Sequence, residues 1–161
     1  MIPRLVKIAM TACLAVFAFL VAFTNVTDYA ANAPFVNHVL SMDTTFRDPA
    51  VAYRAIDAPW LWRLGYLGII AGEALTCLLF ALAAFRMIAA RKAPAGEFQK
   101  AKAFVHLAAL AGFLVWFLGF MTIGGEWFLM WQSATWNGQE AAFRFYVTIL
   151  LVLIYVAQPE T

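Results

Sequence analysis

The sequence predicts an all-α fold, a transmembrane four-helix bundle with both ends on one side, and three observations predict it. Hydrophobic residues make up 65% and charged residues 12% of the 161 positions, which leaves too little polar surface for a soluble globule of this size. The apolar residues gather in four runs, about 5–24, 61–85, 103–123 and 141–157, each near the length that a bilayer core demands. Basic residues are unevenly shared between the two ends of these runs. One end carries Arg4, Lys7, Arg86, Arg91, Lys92, Lys100 and Lys102 against Glu97 and Glu160. The other carries Arg47, Arg54, Arg63 and Arg144 against Asp28, Asp43, Asp48, Asp57, Glu126 and Glu140. Excess Lys and Arg marks the cytoplasmic side, so both termini are expected inside.

The first run follows Arg4 and Lys7 and precedes Ala31-Asn32-Ala33, a pattern shared with signal peptides. Pro34 directly after that small-residue site argues against cleavage, and the run reads as a retained anchor. At 100° per residue its narrow face is Thr11, Ala15, Ala18, Ala22 and Asn25. The outer loop, residues 25–60, is too long for a bare connection, and Asp48-Pro49 is a helix-start signal. One or two short helices over the outer mouth are expected. The second run aligns Gly65, Gly68, Gly72 and Thr76, with Glu73 at the edge. The third aligns Ala108, Gly112, Val115, Gly119, Thr122 and Glu126, leaving Phe113, Phe117, Phe120 and Phe128 on the far side. Run straight to Trp131 it would project well beyond the bilayer, so Gly124-Gly125 is expected to mark a kink. The fourth aligns Glu140, Arg144, Thr148 and Tyr155. Small and polar residues are what let helices associate in lipid, so these stripes are read as packing faces of one domain spanning the whole chain.

Glu73 is the sharpest anomaly. Counted from Leu61 it lies roughly 18 Å down a helix, close to the midplane, where a carboxyl is expected to be protonated, paired or watered. Bonding to Thr76, Thr11 or a backbone carbonyl would make it structural; a proton carrier or ligand contact would make it functional. Glu126, Glu140 and Arg144 are expected to form an outer ion-pair cluster that clamps the third and fourth helices. Trp60, Trp62, Trp127, Trp131 and Trp136 are expected to rim an aromatic outer mouth. Cys13 and Cys77 lie inside apolar runs and read as buried small residues. His38 and His106 fall on opposite sides and cannot pair on a haem within one chain. No phosphate loop, zinc spacing or nucleophile elbow occurs. No cofactor and no catalytic residue is therefore expected, and a net charge of +2 without a basic stripe argues against nucleic acid.

The stretch from Met121 through Gly124-Gly125-Glu126-Trp127-Phe128 to Ser133, then Trp136-Asn137-Gly138-Gln139 and Ala142–Phe145, carries a resemblance, as do Thr27-Asp28-Tyr29 and Val39–Phe46. These segments resemble the small integral membrane proteins of proteobacteria grouped as domain-of-unknown-function family 2165. The resemblance implies a bacterial inner-membrane protein with four spans and brings no activity, cofactor or catalytic residue with it. Three functions are then expected in descending order. The first is an accessory or assembly subunit of a larger membrane complex, such as a respiratory enzyme, whose partners are other membrane subunits besides the bilayer. The second is a small proton-coupled transporter using Glu73. The third is a protein that binds a quinone or lipid in the aromatic mouth.

Overall fold

The computed structural model describes residues 1–46 and 48–160; the outer-side Arg47 lies outside the described residues. Helices α1 (Ile2–Thr27) and α2 (Tyr29–Ser41) are separated by Asp28, and a single 3₁₀ turn (Ala52–Arg54) leads to α3 (Pro59–Ala89). After a tight turn come the short α4 (Ala95–Ala101) and α5 (Ala103–Phe113), which continues into a wide helix, Leu114–Trp127. A second 3₁₀ turn (Met130–Gln132) precedes α6 (Gln139–Ala157). Among the described residues, four helical stretches are long and apolar enough to cross a membrane: α1, α3, α4 through the wide helix, and α6. Helix α2 and the 3₁₀ turn are the short helices expected in the outer loop.

The spans form a ring in which α1 packs on α3, α3 on α5, the α5 stretch on α6, and α6 back on α1. Their ends meet: Arg4 of α1 bonds Glu160, and Lys102 bonds the carbonyl of Gln158 beyond α6. Both ends of the chain thus share one end of the bundle with the α3–α5 turn. We call it the basic end, and the opposite end, under α2, the loop end.

The α1 stripe faces inward, with Thr11, Ala15, Ala18 and Ala22 all buried. The inward face of α3 is instead Tyr66, Glu73, Thr76, Phe80, Ala83, Ala84 and Met87, while Gly68 is exposed with open space around it. Gly72 lets α3 approach the start of the wide helix, and Gly112 lets α5 approach α6. A methyl added at Gly72 would meet Val115 at 2.5 Å, and one at Gly112 would meet Ile149 at 2.8 Å. A triad of Phe17, Trp116 and Phe145, with centroids 4.9–5.7 Å apart, ties α1, the wide helix and α6 together.

The wide helix changes the register of its own far half. Its amides bond five residues back, as Phe128 N–H to Ile123 O at 3.0 Å, so each turn holds more residues than an α turn. The stripe counted at 100° holds through Ala108, Gly112, Val115 and Gly119, then drifts: Thr122 and Glu126 turn outward, and Gly124 and Gly125 turn inward. Phe128, expected on the far face, is buried, and Phe120 turns toward the interior of the loop end. The helix runs through Gly124-Gly125 and ends at Trp127, before Trp131. The two glycines admit Met130 and the Gln139 side chain against the backbone.

The α6 expectation inverts. Glu140, Arg144, Thr148 and Tyr155 are all exposed, and Ala142, Tyr146, Ile149, Val152 and Val156 fill the core. Lipid is as apolar as the bundle interior, so packing fit rather than polarity selects the buried face. The same reason leaves Cys13 exposed and Cys77 half-buried rather than in the core.

Candidate functional site

At the loop end the chain builds a second, smaller core from Val39, Met42, Phe128 and Met130. It joins the segments singled out in the sequence, Val39–Phe46 and Met121–Ser133. Met42 and Leu129 reverse the chain there with φ of 53° and 55°, a left-handed conformation uncommon outside glycine. Side chains fasten the two reversals. Thr44 Oγ1 donates to Ser133 Oγ at 2.9 Å, the Trp136 N–H donates to the same oxygen at 2.9 Å, and the Phe46 N–H donates to Gln132 Oε1 at 3.0 Å. Trp136 is then held against the His38 ring, stacked at 4.6 Å, and His38 Nδ1 lies 2.8 Å from Asp43.

Below this cap, Tyr66 and Glu73 stand two turns apart on the buried face of α3. Glu73 is 1% exposed, and its two carboxylate oxygens accept from Asn25 Nδ2 of α1 at 3.1 and 2.8 Å. Tyr66 Oη in turn donates to the Asn25 carbonyl at 2.8 Å and lies 3.3 Å from Asn25 Oδ1. The partners that the sequence suggested are engaged elsewhere: Thr76 bonds the Gly72 carbonyl and Thr11 the Lys7 carbonyl. Asn25 was legible only as the last residue of the α1 stripe. No cation reaches Glu73 among the described residues.

The carboxylate, amide and phenol line the way up to a cavity of about 370 Å³ bounded by Asn25, Asn32, Tyr66, Phe35, Trp136 and Asn137. Glu73 lies behind Asn25, outside the wall. A second recess, about 200 Å³, lies alongside and shares Phe35, Val36, Ile69 and Phe120 with the first. Its other walls are apolar or bare backbone, among them Leu40, Gly65, Gly119, Gly124 and Met130. A hydrogen-bonding chamber therefore adjoins a greasy one. The site can hold a small head group on amide and phenol donors and acceptors while a hydrocarbon portion lies on Gly and Phe walls.

The remaining expected residues disperse. Glu140 and Arg144 pair as an exposed i,i+4 contact on α6, and Glu126 is exposed and in no ion pair among the described residues. No clamp joins the wide helix to α6 through charge. Of the tryptophans, Trp136 walls the polar chamber, and Trp62 bonds the Ile56 carbonyl at 2.6 Å beside it. Trp60, Trp127 and Trp131 are exposed, with the Arg54 guanidinium over the Trp127 ring at 5.0 Å.

Sequence reasoning missed a buried charge cluster at the basic end. Lys7 and Lys102 are almost fully buried, and with Arg4 they surround the Glu160 carboxylate at 2.7, 2.5 and 3.2 Å. The signal was present: Lys7 lies one turn before Thr11 on the narrow face of α1, and Lys102 lies one turn before Val105.

Comparison with curated proteins and with solved structures returns no match. The family model described as predicted small integral membrane protein, DUF2165, matches residues 3–159, and the chain belongs to that family.

Proposed function

We propose that this protein binds a membrane-soluble amphiphile, a quinone or lipid with a small uncharged hydrogen-bonding head, at the loop end of the bundle. The observation that carries this is the contiguity of the polar chamber with the apolar recess through Phe35, Val36, Ile69 and Phe120. Glu73 serves as a positioning residue, holding the Asn25 amide so that its oxygen faces Tyr66 and the chamber. The reading is one of binding, without a catalysed step. A proton-coupled transporter using Glu73 is less well supported, because both carboxylate oxygens are bonded by Asn25 rather than open to the chamber.

The Lys and Arg excess at the basic end supports a cytoplasmic position for that end, and we propose a bacterial inner membrane as the location, in keeping with a family of predicted small integral membrane proteins. A second reading, an accessory subunit of a larger membrane complex, is favoured by the exposed aromatic side chains Phe46, Tyr53, Trp60, Trp127 and Trp131 at the loop end. Mild-detergent purification with mass spectrometry tests it; a protein that always runs alone removes it.

The binding reading is tested by titrating purified protein with a short-chain ubiquinone and with a short-chain diacylglycerol while following tryptophan fluorescence. Saturable quenching, weakened roughly tenfold by Tyr66→Phe or Asn25→Ala (about 1.4 kcal/mol, the size of a lost hydrogen bond), is the expected result. Quenching that is linear for both ligands, or unmoved by either substitution, would end the proposal.

A further inference from the structure

The charges buried at the basic end do not balance. Among the described residues, three cations converge on one carboxylate, Glu160. Their other partners are neutral: the Gln158 carbonyl accepts from both Lys7 and Lys102 at 2.8 Å, Gln99 Oε1 accepts from Lys102, and the Arg91 and Ala93 carbonyls accept from Arg4. The other carboxylate side chain described at this end, Glu97, is exposed and in none of these pairs. Sequestering two uncompensated cations is unfavourable unless further negative charge comes to them.

This counter-charge also stands outside the helix. Helix α6 ends at Ala157, and Glu160 is carried by a short non-helical segment whose withdrawal breaks no helical turn. Burial by itself would raise the Glu160 carboxyl, yet the hydrogen bonds and charges of Lys102 and Lys7 hold it at about 2, so it is an anion at every physiological pH. The cations sit on the opening turns of α1 and at the start of α5, with Phe98 beneath the Arg4 guanidinium at 4.7 Å. That is the level at which basic pockets between spanning helices meet lipid phosphates.

We propose that Arg4, Lys7 and Lys102 form a phosphate seat, filled either by the phosphodiester of an anionic lipid or by free phosphate, and that Glu160 is the internal occupant which the phosphate displaces. A phosphodiester brings the same single charge as a carboxylate spread over more acceptor oxygens, free phosphate brings more charge as well, and lysine serves either as a point charge. The segment 158–160 is then a plug whose release reports occupancy.

The test uses the full chain in phosphatidylcholine nanodiscs, with hydrogen–deuterium exchange of the peptide containing Gln158 and Glu160 as readout. Phosphatidylglycerol is expected to speed exchange there about tenfold, and added phosphatidylcholine to leave it unchanged. Acceleration by inorganic phosphate without a phosphatidylglycerol effect would assign the seat to a soluble ligand instead. Glu160→Gln is expected to bind phosphatidylglycerol roughly tenfold more tightly by native mass spectrometry, and Lys102→Gln added to it to remove the gain. Wild-type exchange unmoved by either anion would overturn the proposal, whatever the variants do.

Discussion

Two carboxylates are buried in this bundle, and they are held in opposite ways. Glu160, at the basic end, is surrounded by Lys7, Lys102 and Arg4, all within 3.2 Å. Glu73, deep under the loop end, has one uncharged partner, the amide of Asn25. The first belongs to an electrostatic lock among α1, the α5 start and the segment after α6. The second belongs to a polar thread that ends at a cavity. In this molecule the acid met by cations joins chain segments, whereas the one met by an amide fixes that amide at the wall of a cavity.

The largest effect that would sharpen this contrast is expected at Glu160. Removing one partner of a buried ion pair costs about 3–5 kcal/mol, so Glu160→Ala should strongly lower the thermal midpoint in a neutral detergent. A melt unchanged by Glu160→Ala would mean that the basic end is no lock at all. Next, Asn25→Leu strips Glu73 of both hydrogen bonds and should cost about 1–3 kcal/mol, whereas Glu73→Gln keeps an acceptor for Asn25 and should stay within about 1 kcal/mol of wild type. If Glu73→Gln proved the more damaging, the carboxylate itself would be needed rather than its geometry.

The pH response separates the ends further. The Glu160 carboxyl is held at about 2, below its ordinary 4.5. Its contribution is therefore whole above pH 4.5 and is lost as pH falls from there through about 2. Melts of wild type and Glu160→Gln should differ by a constant amount between pH 7 and 5 and converge on further acidification. The smallest effect is expected for Arg144→Ala. Its exposed contact with Glu140 is worth less than about 1 kcal/mol, and unchanged folded yield from size-exclusion chromatography checks it; a large loss would restore the outer clamp.

The spans were legible because a bilayer imposes a length and a polarity that any run of residues must meet. The α1 face was legible because its alanines follow one unbroken α-helical period. Beyond Gly119 the period itself changes, and a stripe counted at 100° points Glu126 the wrong way. Neither Arg144 nor Lys102 could be placed by charge alone. One lies outward on α6 in a surface pair, and the other is buried by the return of Glu160 from more than 50 residues away. Glu73 was visible as an oddity, but its partner sits 48 positions earlier in another helix. The candidate chamber was least legible, since its walls come from α1, α2, α3, the wide helix and the loop before α6.

The wide helix also sets a rule about chain length. Loops accept insertions and deletions because nothing beyond them depends on an angular phase. Here every residue gained or lost between 114 and 123 would turn all that follows through the angle of one residue, taking Gly124 off Met130 and Gly125 off Gln139. Natural variants of this chain should therefore differ in length at residues 47–57 far more readily than within this helix, and a one-residue deletion at Leu118 should abolish the loop-end cap while leaving α1 and α3 paired.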